Sequence, residues 1–300
     1  MRGWLIYKRS ANELTADDHG INRLLYTAQK QGVVFEVYKP EQFDLLSSDK
    51  ESNVVLIDEK RVELPDVVIP RTGAESSYLA LAVLRHLEYQ RVEFCNTSRS
   101  ILSVKDKMLM NQKIRYAGLP SPKTLLVKFP VSVDFIAYEI GFPLVIKTIS
   151  GARGQGIFLC ETINQFRDMM ELLSLQQQTN GFIVQEFIQE SYGRDVRVFV
   201  LDGKVLGCMK RMSMSGFKAN FSLGGTVEAY PMSQELETLA IKTARLFELE
   251  IAGIDLLFTN DGFTICEANS SPGFKGMEKA TNVDIASQIM AYAIEKMKRC

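Results

Sequence analysis

The sequence predicts a chain of mixed α/β and α+β class, in which a parallel sheet precedes two units built on antiparallel hairpins. Over residues 1–98, short apolar runs alternate with stretches of helical periodicity, which is the pattern of a parallel α/β sheet. Further along, strand patterns are joined by short turns that contain glycine, which is typical of antiparallel hairpins. The length of 300 residues, with 46% hydrophobic and 24% charged residues, is sufficient for more than one such unit.

The first unit, residues 1–98, is predicted to alternate strands with helices. Its predicted elements are strand 4–7, helix 20–31, strands 33–38, 54–57 and 67–69, and helix 76–89. Ligands of parallel sheets bind at the carboxyl ends of the strands, and Arg71 directly follows one of these ends. We therefore regard Arg71 as a candidate ligand contact, with a solvated loop arginine as the alternative.

Asn96-Thr97-Ser98 marks a boundary, after which a second unit (residues 99–184) and a third (residues 185–300) are predicted. The second unit begins with a predicted helix from Ile101 to Gly118, where glycine suits a left-handed cap. Its other predicted elements are strands 143–148 and 157–160, helix 164–175 and strand 182–188. The third unit is predicted to hold two hairpins, a glycine-bounded loop, helix 233–249 and a last helix capped by Asp284.

Composition and charge exclude several classes of protein. Lysine and arginine number 35 against 36 aspartates and glutamates, and a net charge of −1 offers no general footprint for nucleic acid. No apolar run reaches the ~20 residues of a membrane-spanning helix, and the start of the chain is a poor signal peptide. The 5 cysteines lie far apart and form no C-x-x-C pair, which favours a reducing compartment. We therefore expect a cytoplasmic protein without a membrane segment.

A glycine-rich segment, Gly151-Ala152-Arg153-Gly154-Gln155-Gly156, lies between two predicted strands. Its first and last glycines have the spacing of a P-loop, but Ile157-Phe158 stands where that motif needs Lys-Ser/Thr. A glycine loop between two strands can instead form a flap whose backbone N–H groups close over phosphates, as in protein kinases. Lys147, at the end of the preceding strand, would supply a cation for the same phosphates. A plain wide turn and an edge-strand lysine are the alternatives.

The predicted hairpin of residues 251–269 carries the strongest candidate site. Asn260-Asp261-Gly262 predicts a three-residue turn, which places Asp255 across from Glu267 and Asn269 on the same face. Like charges in such a pair are destabilising unless a cation binds between them, and carboxylate and amide oxygens suit Mg²⁺. The alternative is an exposed sheet face. A two-residue turn would shift the register and move Asp255 to the other face.

A second predicted hairpin spans residues 194–211, with Asp202-Gly203 at its turn. That turn pairs position 197 with 208 and position 195 with 210, so that Asp195, Arg197 and Lys210 share one face. A cluster with several cations suits anionic phosphate or carboxylate groups, whereas a surface ion-pair ladder is the alternative.

Together these motifs resemble the ATP-grasp superfamily, and most closely its RimK-like carboxylate–amine ligases. The resemblance spans essentially the whole chain and rests on Asp106-Lys107, Val145-Ile146-Lys147, the Gly151 to Gly156 flap, Val184-Gln185-Glu186-Phe187-Ile188, Gly193-Arg194-Asp195-Val196-Arg197, Lys218-Ala219-Asn220, Leu223-Gly224-Gly225, Gly253-Ile254-Asp255, Cys266-Glu267-Ala268-Asn269-Ser270-Ser271-Pro272-Gly273 and Glu278-Lys279-Ala280-Thr281. It implies a Rossmann-like domain (1–98), a central ATP-grasp lobe with the flap (99–184) and a C-terminal lobe with a magnesium site (185–300).

The resemblance also implies roles for individual residues. The implied ATP contacts are Lys107, Lys147, Gly151, Gly154, Gly156, Glu186, Phe187, Asp195, Lys218, Ala219 and Asn220, with Glu186 and Phe187 at the adenine and Asp195 at the ribose. The implied catalytic residues are Arg197, Arg211 and Asn220, of which the arginines would stabilise an acyl phosphate. The implied ligands of Mg²⁺ (or Mn²⁺) are Asp255, Glu267 and Asn269, and the implied substrate contacts are Arg71, Ser271 and Gly273. Lys218 stands where bacterial ribosomal-protein-modifying members usually carry arginine, which keeps the charge but loses the bidentate fork.

The function implied by the resemblance is ATP-dependent amide formation through an acyl phosphate. The acceptor implied first is the C-terminus of a protein, of the ribosomal-protein type, or of a peptide, with L-glutamate as the amine. A glutamate ligase for small acids or amino acids, a phosphotransferase and a catalytically silent nucleotide-binding regulator are the alternatives. The expected partners are thus ATP, L-glutamate and a carboxylate acceptor, in a homo-oligomer without direct contact to nucleic acid.

Overall fold

Four β-sheets organise the computed structural model, which describes residues 1–48, 54–73, 76–149, 156–175, 181–214, 216–219 and 224–298. The strands are β1 (Arg2–Ile6), β2 (Val34–Tyr38), β3 (Phe43–Leu46), β4 (Val54–Ile57), β5 (Lys60–Arg61), β6 (Val67–Pro70), β7 (Glu93–Phe94), β8 (Thr124–Val127), β9 (Leu144–Thr148), β10 (Ile157–Cys160), β11 (Phe182–Glu186), β12 (Arg194–Leu201), β13 (Lys204–Met212), β14 (Thr226–Ala229), β15 (Ile251–Thr259) and β16 (Gly262–Asn269). The helices are α1 (His19–Lys30), α2 (Tyr78–Tyr89), α3 (Ser98–Lys105), α4 (Lys107–Tyr116), α5 (Val133–Glu139), α6 (Ile163–Leu175), α7 (Gln234–Leu246), α8 (Lys275–Thr281) and α9 (Ile285–Met297). No helix within these ranges is long and apolar enough to cross a membrane.

The N-terminal sheet is parallel, as the sequence predicts, with the strand order β2-β1-β6-β7. Successive side chains of β1 enter different cores: Leu5 belongs to the buried cluster that contains Leu24 of α1, whereas Trp4 belongs to the one that contains Leu84 of α2. A helix on each face explains why the central strands β1 and β6 are apolar apart from Arg2. Strands β3, β4 and β5 form a small antiparallel sheet beside it.

The core over α1 is shared with the end of the chain. Leu24 lies in the same buried cluster as Phe199 of β12, Phe274 and Ile289 of α9. The N-terminal sheet therefore packs directly on the C-terminal elements, and its carboxyl edge lies near the segment that follows β16. The domain boundaries at residues 98 and 184 stay predictions.

The middle sheet is antiparallel, with the order β10-β9-β11-β8. Ile146 of β9 and Val184 of β11 pack in one buried cluster with Phe166 of α6. Because side chains alternate along a strand, Lys147 and Gln185 lie on the face of the middle sheet opposite α6. This face is available to the candidate site.

One predicted helix is wrong in its continuity: the single helix expected from Ile101 to Gly118 is two helices, α3 and α4. Asp106 separates them in an extended conformation, and its carboxylate accepts hydrogen bonds from the backbone N of Met108 and Leu109 at 3.0 and 2.9 Å. Aspartate is favoured at this position because its side chain pairs donors that the first turn leaves unpaired. Lys107 is therefore the first residue of α4.

The C-terminal sheet is antiparallel, with the order β14-β13-β12-β15-β16. Val198 of β12 and Ile254 of β15 lie in one buried cluster with Leu236 and Ala240 of α7. Residues that alternate with these point to the other face of the sheet.

The β12–β13 hairpin contains a bulge that the sequence analysis missed. The turn at Asp202-Gly203 is confirmed, but Leu206 is an extra residue on β13, so Asp195 pairs with Arg211. The predicted pairings of position 195 with 210 and of position 197 with 208 are therefore wrong, since Arg197 pairs with Met209. Lys210 lies on the opposite face, where its Nζ donates to Glu228 at 3.2 Å.

The β15–β16 hairpin also differs from its prediction at the turn. Thr259 pairs with Gly262, so the loop has two residues and the expected three-residue turn is wrong. An extra residue on β16, Cys266, shifts the register back, and Asp255 pairs with Glu267 as predicted. The bulge thus compensates for the shorter turn.

Candidate active site

A row of charged side chains crosses the face of the C-terminal sheet that lies opposite α7. Arg197 of β12 pairs with Asp255 of β15, which pairs with Glu267 of β16. Arg211 of β13 joins the row because it pairs with Asp195, two residues before Arg197. Four adjacent strands therefore contribute to one charged surface.

Two arginines hold Asp255. Arg197 donates from Nε and Nη2 to the two carboxylate oxygens, at 2.6 Å each, and Arg211 Nη2 lies 2.9 Å from Oδ2. Arg211 also donates to both oxygens of Asp195, at 2.6 and 2.5 Å. Bidentate charge-assisted bonds of this kind fix orientation as well as distance.

Burial and neighbouring charges oppose each other at this cluster. Burial raises the pKa of Asp255, but Arg197 and Arg211 outweigh it and hold the pKa below its usual value. Burial lowers the pKa of Arg211, but Asp255 and Asp195 raise it above the ordinary value. Both groups are therefore charged at neutral pH.

Glu267 and Asn269 carry oxygen atoms that accept no hydrogen bond from the described residues. The Glu267 carboxylate accepts no hydrogen bond from the described residues, and burial together with the charge of Asp255 raises its pKa. Asn269 donates its amide N–H groups to Gly253 O and Asp255 Oδ2, both at 3.3 Å. No described residue donates a hydrogen bond to its amide oxygen.

These oxygens fit a divalent cation. Two carboxylates and an amide oxygen form a hard donor set, and an ion such as Mg²⁺ would pair the oxygens of Glu267 and Asn269 for which the described residues supply no donor. The described residues contain no group of three or more His, Cys, Asp and Glu side chains that could hold a metal ion, and this site offers two carboxylates and one amide instead. The three predicted metal ligands lie together, and metal binding there stays a prediction.

Two lysines, Lys107 and Lys147, act on the carboxylate of Glu267. Lys107 Nζ, at the start of α4, donates to Thr148 O at 3.1 Å, and Lys147 Nζ donates to Gln185 Oε1 at 2.6 Å. The charges of both lysines lower the pKa of Glu267, against the effects of burial and Asp255. Burial in turn lowers the pKa of Lys107. The lysines thus extend the charged surface toward the middle sheet, as expected of a polyphosphate site.

Gln185 is a site residue that the sequence analysis missed. This buried side chain accepts from Lys147 and donates from Nε2 to Thr124 Oγ1 at 2.7 Å, so it orients the lysine. A polar residue directly after the apolar run 182–184, in the same predicted strand, was the available signal.

The residues predicted to contact adenine lie at the end of β11. The Glu186 side chain is exposed and accepts from the backbone N of Lys123 at 3.1 Å. Phe187 packs edge-on against Phe217, with ring centroids 6.2 Å apart. Lys218 Nζ lies 5.9 Å from the ring centroid of Phe158 in β10. The 216–219 segment therefore contacts both Phe187, which follows β11, and Phe158 in the middle sheet.

The glycine flap is described only at its end. Gly156 has φ of +68°, and a Cβ there would lie 2.2 Å from Thr148 Oγ1, so this position requires glycine. Ala219, also predicted at the nucleotide, is buried. The predictions for Gly151, Gly154 and Asn220 lie outside the described residues.

The predicted substrate residues meet where the N-terminal sheet approaches the segment after β16. Arg71 Nη2 donates to Pro272 O at 2.8 Å, and a Cβ at Gly73 would lie 3.2 Å from Ser271 Cβ. Gly273 is exposed beside them. The structure thus brings Arg71 and Ser271 together from positions 200 residues apart.

Comparison with known sequences finds relatives along the whole chain. Residues 104–293 match the family model of the RimK-like ATP-grasp domain, and residues 15–101 match that of the RimK PreATP-grasp domain. A probable alpha-L-glutamate ligase of Pasteurella multocida is 32% identical over 286 residues, covering 93% of this chain and 91% of its own. A probable alpha-L-glutamate ligase of Legionella pneumophila is 36% identical over 242 residues, covering 78% and 77%.

The likeness extends to solved structures. The ATP-grasp ligase PsnB, complexed with a minimal precursor, Mg and ADP, has a TM-score of 0.73 at 21% identity, over 99% of this chain and 98% of its own. At this level of identity, the likeness concerns the fold, and it includes all three predicted parts of the chain.

Proposed function

Because the chain belongs to the RimK-like ATP-grasp family and has the ATP-grasp fold, we propose that it is an ADP-forming ligase that adds L-glutamate to the C-terminus of a protein or peptide. The observation that carries the proposal is the charged row of Arg197, Asp255 and Glu267, which Lys107 and Lys147 approach from the other sheet. The names of the relatives support glutamate as the amine.

ATP is proposed to bind between the middle and C-terminal sheets. Lys107, Lys147 and Lys218 hold its phosphates, and the glycine flap closes over them. Glu186 and Phe187 border the adenine. Mg²⁺, which PsnB holds together with ADP, would be bound by Asp255, Glu267 and Asn269 and would neutralise charge on the transferred phosphoryl group.

Asp195 has a different proposed task from the ribose contact that the resemblance implies. Both of its oxygens accept from Arg211, so its carboxylate already serves as the anchor of a buried arginine. We assign it the orientation of Arg211, and the ribose contact stays a prediction.

The proposed reaction has two steps. An oxygen of the acceptor carboxylate attacks the γ-phosphorus of ATP, and the bond from this phosphorus to the bridging oxygen breaks. ADP departs, and an acyl phosphate remains. The amine of glutamate attacks the acyl carbon, loses a proton, and phosphate departs as the amide forms. Arg197 and Arg211 contribute two fixed positive charges that stabilise the negative charge of the acyl phosphate and its tetrahedral adduct.

The test combines ADP release with product mass. The protein is incubated with ATP, Mg²⁺ and L-glutamate and with a panel of peptides and small acids, and products are identified by mass spectrometry. Glutamate added to a peptide C-terminus supports the proposal, and addition to small acids alone would replace the acceptor class. A stable phosphorylated product without amide indicates a phosphotransferase. Nucleotide binding without ADP release, for every carboxylate in the panel, indicates a regulator.

A further inference from the structure

Arg71 carries a buried hydrogen-bond donor for which the described residues supply no acceptor. The side chain follows β6 and is only 9% exposed. Nη2 donates to Pro272 O at 2.8 Å, and the guanidinium lies 5.7 Å from the ring centroid of Phe274. Nη1 is buried and has no hydrogen-bond partner among the described residues. Leaving a buried charged donor unpaired is costly, so Nη1 is suited to an acceptor that a bound ligand supplies.

The guanidinium also lacks a counter-charge. The buried arginine Arg211 forms ion pairs with two aspartates, whereas no described carboxylate lies within ion-pair distance of Arg71. Burial lowers the pKa of Arg71 to about 10, and the group therefore keeps its charge at neutral pH. A charged, buried guanidinium whose Nη1 has no acceptor among the described residues is suited to a planar anion such as a carboxylate.

Pro272 connects Arg71 to the candidate active site. A Cβ on Gly253 would lie 2.6 Å from Pro272 Cβ and 3.6 Å from Arg197 Nε, so the proline packs on β15 beside Arg197. Gly253 pairs with Asn269, one of the proposed metal ligands. Arg71 is therefore separated from the proposed metal site by Pro272 and Gly253.

We infer that Arg71 binds a carboxylate of a substrate other than the one that reacts, an inference that rests on the proposed ligase function. The reacting carboxylate has to reach the phosphate held by the lysines, whereas Pro272 and Gly253 separate Arg71 from that part of the proposed site. A hydrogen-bonded guanidinium would also stabilise the lone pairs of a carboxylate and weaken it as a nucleophile. L-glutamate has two carboxylates that do not react, and a peptide acceptor can carry others. The shared chemistry is therefore a spectator carboxylate, which orients its substrate.

The test pairs a variant with altered substrates. Arg71→Met removes the donor at similar side-chain length, and Arg9→Met removes a positive charge at the same end of the N-terminal sheet as a matched control. Each protein is assayed with L-glutamate, with L-glutamine, with the α-amide of glutamate, and with peptides whose carboxylates are replaced by amides. At the carboxylate that Arg71 binds, the kcat/KM of the wild type should be about 10- to 100-fold higher with the charged substrate than with its amide. This is the range expected for a charge-assisted hydrogen bond.

Arg71→Met should abolish that preference, while Arg9→Met should retain it. The substrate that the variant no longer prefers over its amide identifies the source of the bound carboxylate. A glutamate analogue points to the amine substrate, and a peptide analogue points to the acceptor. If Arg71→Met lowers the rates of all substrates equally, the arginine only supports the fold and the inference is wrong. Arg71→Lys keeps the charge with a single nitrogen and should lose part of the preference, which provides the same comparison if the methionine variant does not fold.

Binding without turnover separates this inference from the ligase proposal. Glutarate binding is measured by calorimetry in the absence of ATP, and it should be at least about 10-fold weaker in Arg71→Met than in the wild type. Equal glutarate binding, together with an unchanged preference during amide formation, overturns the carboxylate site and leaves the ligase function standing. Arg71-dependent binding in a protein that forms no amide with any pair overturns the ligase function instead.

Discussion

The carboxylates of the candidate site differ in their partners, although they lie on adjacent strands. Asp255 accepts hydrogen bonds from two arginines, while Glu267, directly across from it, accepts none from the described residues. The charge of Asp255 is therefore balanced by two hydrogen-bonded arginines, whereas among the described residues Glu267 has only the charges of Lys147, Arg197 and Lys107 acting on it without a hydrogen bond. This difference makes Glu267 the more informative residue to change.

Glu267→Gln is expected to lower kcat/KM for ATP at least about 100-fold, because loss of an outer-shell partner alone typically lowers metal affinity or activity 10- to 100-fold. The free energy of unfolding should not fall by more than about 1 kcal/mol, because the change removes a like charge opposite Asp255. Glu228→Gln, an exposed carboxylate on the same sheet, should leave both quantities unchanged. Near-normal turnover by Glu267→Gln in a steady-state ADP assay would count against the metal assignment.

Asp18 supplies a pH-dependent contribution to stability. Burial raises its pKa, but hydrogen bonds from Thr15, Tyr7 and Arg9 lower it from 3.8 to about 2. Since the folded pKa is below the unfolded one, the contribution is complete above about pH 4 and is lost as the pH falls toward 2. A shift of this size corresponds to roughly 2 kcal/mol.

Urea unfolding of the wild type and Asp18→Asn between about pH 2 and pH 6 measures this contribution. The difference in unfolding free energy should be largest above about pH 4 and shrink below it. Asp17→Asn, at the exposed neighbouring position, is the control and should show little difference at any pH. A difference for Asp18→Asn that does not change with pH would contradict the assignment.

At the scale of elements, single extra residues decide which side chains reach the charged surface. Leu206 in β13 places Arg211 opposite Asp195, and Cys266 in β16 places Glu267 opposite Asp255. Without the first bulge, Lys210 would take the position of Arg211 and the bidentate bond would be lost. The geometry of the site therefore depends on two bulges as much as on the charged residues.

The break between α3 and α4 is a second element-level feature, and Asp106→Ala tests it. Loss of the cap should lower the unfolding free energy by about 1 kcal/mol. Because Lys107 is the next residue, the KM for ATP should also rise. Ser132→Ala removes a comparable cap from α5, where Ser132 accepts from Phe135 N at 3.3 Å, and should cost similar stability without a change in KM. An unchanged KM in Asp106→Ala would show that Lys107 does not depend on the cap.

At the scale of the whole molecule, Asn96 joins the N-terminal sheet to the C-terminal sheet. This buried side chain donates to Ile251 O and Ser270 O, both at 2.7 Å, and accepts from the backbone N of Glu250 and Ile251 at 2.7 and 3.1 Å. All four bonds cross between distant parts of the chain. Ser270 adjoins Asn269, so this contact also holds the segment that carries a proposed metal ligand.

Asn96→Ala is expected to lower the free energy of unfolding by roughly 3 kcal/mol or more, because several hydrogen bonds worth about 1 kcal/mol each are lost and their backbone partners stay buried. The positive φ of +85° adds strain, since asparagine tolerates this region better than alanine. Asn22→Ala removes a single bond to Thr15 O and should cost about 1 kcal/mol in the same urea titration. A loss for Asn96→Ala no larger than that of Asn22→Ala would show that this junction contributes little.

The sequence by itself determined the fold class, most elements and the residue types of the site. Strand and helix periodicity, turn residues and capping side chains are local properties, which is why β9, β10 and the Asp284 cap of α9 agree with prediction. The charged motifs are also local, and they were sufficient to indicate the ATP-grasp family that the relatives confirm.

Only the tertiary structure decided the register of the β12–β13 hairpin and the partners of the buried charges. A bulge depends on how a strand packs against both of its neighbours, so the exchange of Lys210 for Arg211 opposite Asp195 could not be read from the turn. That the described residues supply no hydrogen-bond partner for Glu267 or for Arg71 Nη1 likewise depends on which distant segments cover them. Local pattern specifies which groups a chain carries, whereas burial and pairing arise only when segments far apart in sequence pack together.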